Sequence, residues 1–98
     1  MQITKTIEKD KLTISLQGRL DTLTAPHLDA EIQGRLEGVK SLVFDFKNLD
    51  YISSAGLRIL LTAQKIMNKQ GKMVVKNASS EIKEIFEVTG FCDILTIE

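Results

Sequence analysis

The chain has 98 residues, 43% of them hydrophobic, and thirteen Lys and Arg balance thirteen Asp and Glu to a net charge of zero. That is one domain's worth of sequence, able to bury a single core and too apolar for a disordered chain. A neutral chain with no Lys/Arg cluster lacks the surface that nucleic-acid binding needs, and no apolar run approaches the roughly 18 residues of a membrane-spanning helix. The N-terminal stretch MQITKTIEKDKL has no apolar signal-peptide segment, and the one cysteine, Cys92, has no partner for an internal disulfide. Both features point to the cytoplasm, without membrane or nucleic-acid partners. A single His27 and a single Cys92 make metal ligands scarce, and no metal or cofactor is expected.

In chain order, QITKTIE alternates weakly, and KLTISLQG puts Leu12, Ile14 and Leu16 on one face; with Asp10-Lys11 between them, the two read as a hairpin. The stretch Asp21–Gly38 reads as a helix. Thr24 suits its N-cap and Pro26 its first turn, Leu28, Ile32 and Leu36 form an i, i+4, i+8 stripe, and Gly38 suits its stop. KSLVFDFKNL is a β-branched and aromatic strand. Ser53–Gly71 is a second helix, whose apolar positions Leu57, Ile59, Leu60, Leu61, Ala63, Ile66 and Met67 exceed one stripe. Met67 and Met73 read as core. KMVVKNA is a strand. Ser79–Gly90 is a third helix, capped by Ser79 or Ser80, with Ile82, Ile85, Phe86 and Thr89 inward; CDILTIE closes as a last strand. The order β-β-α-β-α-β-α-β implies an α/β domain: a mixed sheet with an opening hairpin and helices packed on it, and contacts at the carboxyl ends of the strands.

The most unusual local feature is LDYISSAGLRILL, where two serines and a glycine introduce a very apolar helix. Capping needs one serine, and a glycine costs about 1 kcal/mol inside a helix. Gly56 therefore asks for a reason, such as close packing against a strand. Nucleophilic catalysis by Ser54 would need a base, yet the only histidine, His27, reads as a surface residue, and the Gly-x-Ser-x-Gly elbow is missing. No catalytic residue is expected and the chain does not read as an enzyme. A phosphate on Ser54 would instead be tolerated by the free N–H groups and dipole of a helix N-terminus.

GRLDTLTAPHL, then LVFDFKNLDYISSAGLRILL, GKMVV and IKEIFEVTGF together resemble a STAS-domain anti-sigma factor antagonist over nearly the whole chain, 1–98. The resemblance implies a cytosolic binding module that docks on a GHKL-type serine kinase, the anti-sigma factor. That kinase phosphorylates a serine in the antagonist, and a metal-dependent PP2C-type phosphatase reverses it. The family's acceptor motif, commonly Asp-Ser-Ser/Thr-Gly-Leu, lays its acceptor on Ser54, with Gly56 and Leu57 matching. Ser53 stands in place of the Asp and is a second candidate acceptor, and Ala55 replaces the second hydroxyl. The expected partner surface is Asp21, Thr22, Ser53, Ser54, Gly56 and Arg58, with Gly56 leaving room for the partner; Asp50 is expected to be a solvated turn residue. The alternative is a STAS module that senses a ligand or assembles in a complex, controlling a non-sigma output without cycling phosphate. A response-regulator receiver would need an acidic cluster after its first strand, where TISLQGRLD offers only Asp21.

Overall fold

Alternation along three strands builds one apolar sheet face, and everything else packs on it. In the computed structural model, which describes all residues Met1–Glu98, β1 (Gln2–Glu8) and β2 (Lys11–Leu20) form the antiparallel hairpin. Helix α1 (Ala25–Ile32), strand β3 (Ser41–Ile52), helix α2 (Ser54–Met67), strand β4 (Lys72–Lys76) and helix α3 (Ser80–Thr89) follow. The sheet order is β1-β2-β3-β4, with β2, β3 and β4 parallel. Both crossovers step the same way along the sheet, so right-handed connections put α1 and α2 on one face.

Register explains the core. Leu12 pairs with Leu42, which pairs in turn with Met73, and Ile14 pairs with Phe44, which pairs with Val75, so their side chains share a face. These residues join Leu28 and Ile32 of α1, Leu60 and Met67 of α2, and Ile82 and Phe86 of α3 in one cluster of 24 buried residues. Met67 and Met73 are core, as expected. Thr13 and Ser15 point to the opposite face, where Val43 is buried outside that cluster. An ion pair from Lys5 to Glu31 ties the edge strand to α1. The hydrogen bond from Lys5 leads the effects that hold the Glu31 carboxyl below its usual range.

Several expectations are corrected. Helix α1 stops at Ile32, because Gly34 takes a φ of +69° and turns the chain; Leu36 still reaches the core from the loop. Thr89 is exposed, its hydroxyl donating to the Ile85 carbonyl at 2.7 Å. The last strand does not form: left-handed Gly90 leads into a 3-10 turn over Phe91–Asp93, and only Ile97 bridges to Val75. The expected cap at Ser79 is present, its Oγ accepting from the Ile82 N–H at 3.2 Å. β3 runs three residues past Leu49, because two irregularities, opposite the steps after Ser15 and Gly18, each insert one extra residue on β3 and let Arg19 and Leu20 pair with Tyr51 and Ile52. Asp50 is exposed at that strand end rather than in a turn.

Candidate functional site

The carboxyl ends of β2 and β3 lie side by side, and a main-chain bond from the Ser53 N–H to the Leu20 carbonyl, at 2.8 Å, joins the turns that follow them. One turn leads into α1 and carries Asp21 and Thr22; the other is the N-terminus of α2 and carries Ser53 and Ser54. Residues distant in sequence thus meet at one end of the sheet, where open α/β sheets present their contacts.

The Asp21 turn is self-contained. Asp21 Oδ1 accepts from the N–H groups of Leu23 at 3.0 Å and Thr24 at 3.2 Å. The Thr24 hydroxyl accepts from the Asp21 N–H at 2.9 Å, and as a donor it reaches the Arg19 carbonyl at 2.7 Å, with Asp21 Oδ1 a longer alternative at 3.2 Å. Thr24 therefore makes no side-chain cap for α1, as its position would suggest, and shapes the loop instead. Partial burial opposes ionisation of Asp21. The Thr24 and Leu23 N–H groups, the Thr24 hydroxyl and the Arg19 guanidinium outweigh it, and its pKa falls below the ordinary 3.8. Thr22 is exposed at the tip, beside Leu23, which is 83% exposed.

At the α2 terminus the two serines separate in environment. Ser54 is exposed. The Oγ of Ser53 is buried with no hydrogen-bond partner, and although Ser53 occupies the N-cap position with extended backbone, it makes no side-chain cap. The N–H groups of Ser54, Ala55 and Gly56 have no acceptor inside the helix, and its first turn holds no acidic residue. Gly56 is buried: a Cβ there would lie 2.7 Å from Leu20 Cγ and 2.9 Å from Ile52 Cγ1. The room it leaves is taken by the protein's own strand ends, not by a partner, which corrects its expected place on the contact surface. Arg58, one turn on, is exposed and lines a groove of 360 Å³ between α1 and α2, with Thr22, Pro26, Asp29, Ala55 and Thr62. His27 is exposed on α1, and no base contacts the Ser53 hydroxyl. No group of three or more His, Cys, Asp or Glu side chains gathers in a way that would hold a metal ion. No helix is long and apolar enough to cross a membrane.

Sequence reasoning missed Arg19 and Tyr51, which pair across β2 and β3 with the guanidinium 4.4 Å from the ring centre. That pairing depends on the strand irregularities, which leave no sequence signature. Leu23, a lone aliphatic residue between two threonines, was visible as an outlier in a polar loop.

The STAS domain model matches residues 2–98, and the chain belongs to the STAS domain family. Within that family, similar proteins carry the name anti-sigma factor antagonist. BtrV of Bordetella bronchiseptica, which carries that name, is 38% identical over 88 residues, spanning 88% of this chain and 76% of BtrV. The anti-sigma-B factor antagonist of Staphylococcus aureus is 27% identical over 96 residues, spanning 95% of this chain and 89% of its own. The fold matches SpoIIAA, an anti-sigma factor antagonist and Bacillus cell fate determinant. Its unphosphorylated and phosphorylated forms both superpose with a TM-score of 0.78, at 17% and 18% identity. Each match covers 99% of this chain, with 87% and 91% of the SpoIIAA chains.

Proposed function

We propose that this chain is a cytoplasmic anti-sigma factor antagonist that docks on a GHKL-type serine kinase, the anti-sigma factor, and is released when that kinase phosphorylates Ser54. A PP2C-type phosphatase resets it. The reading rests on Ser54, an exposed hydroxyl on the first turn of a helix whose terminal N–H groups are free and whose first turn has no acid. A phosphate there adds about −1.5 to −2 charge. The helix terminus favours an anion by roughly 0.3–1 kcal/mol, so the fold tolerates it. A partner seated on the same turn must instead desolvate a dianion. A loss of about 3 kcal/mol already weakens binding more than a hundredfold.

The named relatives support the antagonist role, and SpoIIAA has a structure in a phosphorylated form. Burial of the Ser53 hydroxyl favours Ser54 as the acceptor over Ser53, since phosphorylation of Ser53 would require the turn to open. The partner footprint is then Thr22, Ser54 and Arg58, with Asp21 and Ser53 holding the two turns in place. The groove between α1 and α2 favours a second reading, a module that senses a small ligand there without a phosphate cycle. Incubation with ATP and each GHKL kinase of the same genome decides between them. The expected result is a mass gain of one phosphoryl group, mapped to Ser54 and absent in Ser54→Ala. An unmodified protein that still binds those kinases tightly would move the function to the second reading.

A further inference from the structure

Helix α3 spends only part of its apolar surface on the core. Ile82 and Phe86 are fully buried, whereas Ile85 is half-buried and Val88 is 81% exposed. Glu81, Glu84, Ile85 and Val88 are spaced i, i+3, i+4, i+7, a continuous stripe along the helix. That stripe, with Thr89 and the ring of Tyr51 from the end of β3, lines a trough of 530 Å³. Aliphatic and aromatic side chains form its floor, and both charges in its lining, Glu81 and Glu84, are negative. Lys83 lies on the far side of the helix, at 100° per residue, and does not offset them. Arg19 stacks on the ring of Tyr51 at 4.4 Å, so one face of that ring already takes a guanidinium. Tyr51 is also two residues before Ser53, which places one wall of the trough next to the serine turn.

The geometry points to a second docking surface: the trough between Tyr51 and α3 seats a basic, apolar segment of a partner protein, an aliphatic or aromatic side chain flanked by Lys or Arg. The apolar side chain covers Ile85 and Val88, and the cations meet Glu81 and Glu84. This extends the footprint proposed for the partner beyond the serine turn, but it stands on the trough's own chemistry and does not require Ser54 to be phosphorylated.

The test is a titration of the isotope-labelled full chain with an acetylated amphipathic peptide of Leu and Lys, followed by amide shifts. A matched peptide with Glu in place of Lys is the control. The Leu/Lys peptide is expected to shift Tyr51, Ile85 and Val88, to weaken with added salt, and to lose about tenfold in affinity in Glu81→Lys/Glu84→Lys. Both positions are exposed, and an unchanged spectrum of the free variant shows that it folds. The control peptide should leave the trough unshifted. Shifts centred on the α1–α2 groove or the open sheet face, equal affinity in the double variant, or trough shifts that appear on concentrating the protein alone would each overturn the proposal, the last by making a second copy the occupant. Ser54→Ala is titrated alongside: unchanged peptide binding there, with phosphorylation measured separately, keeps a failure of the trough distinct from a failure of the serine switch.

Discussion

Two residues apart on α2, Ser54 and Gly56 face opposite ways, one to solvent and one into the ends of β2 and β3. The inward residue sets a test of packing. Gly56→Ala gains about 1 kcal/mol of helix propensity, but its Cβ must displace Leu20 and Ile52 from positions under 3.0 Å away. Overpacking of that kind costs about 1–3 kcal/mol, so the expected net effect is a loss of up to about 2 kcal/mol, read as a lower urea midpoint at unchanged slope. Asp21 sets a test of pH. Its folded-state pKa is depressed, so its contribution to the turn is present above the unfolded value near 3.8 and is lost as pH falls through the lower folded value. The Leu23 and Thr24 amides, whose N–H groups it accepts, should therefore shift in acid below pH 3.8, and that transition should be missing in Asp21→Asn.

At the scale of elements, the two serine-led helices look alike in sequence and differ in structure. Ser79 caps α3 through its side chain, whereas Ser53 at the start of α2 does not. Ser79→Ala should cost about 1 kcal/mol, while Ser53→Ala, which removes a buried hydroxyl without a partner, should be near neutral in the same chemical denaturation series. The strands and the three helices were legible because alternation and the i, i+4 stripe are direct consequences of burial on one face. The errors have physical causes that the pattern does not carry. Leu36 continues the stripe of α1, yet a loop after Gly34 brings it to the same core, and periodicity cannot separate the two routes. Leu95 is apolar and buried, but it reaches the core through the 3-10 turn after Gly90 rather than through a strand ladder. At the site, the placement of Ser54 at the start of α2 and of Asp21 in the neighbouring turn was legible from the order of elements. The inward direction of Gly56, the orphan hydroxyl of Ser53 and the Arg19–Tyr51 stack were not, since each depends on how β2 and β3 end together.

Across the whole molecule, the best-buried layer and the serine turn occupy different places. β3 is hydrogen-bonded on both sides, and Leu42, Phe44 and Phe46 are fully buried at its centre. β1 is an edge strand with six of its seven residues exposed. The serine turn lies beyond the carboxyl end of the best-protected strand, joined to β2 through one main-chain bond, Ser53 to Leu20. A charge at Ser54 thus falls on the unpaired N–H groups of the α2 terminus and leaves the Phe44 layer untouched. Hydrogen exchange should find the slowest amides in Leu42–Phe46 and the fastest strand amides in β1. Ser54→Asp should reproduce that profile in the core, with changes limited to the Asp21–Thr24 turn and the first turn of α2, and with a melting temperature close to wild type. If protection in Ile14 and Phe44 fell as well, the turn would be a joint of the fold, and a phosphate there would act by loosening the domain rather than by repelling a partner.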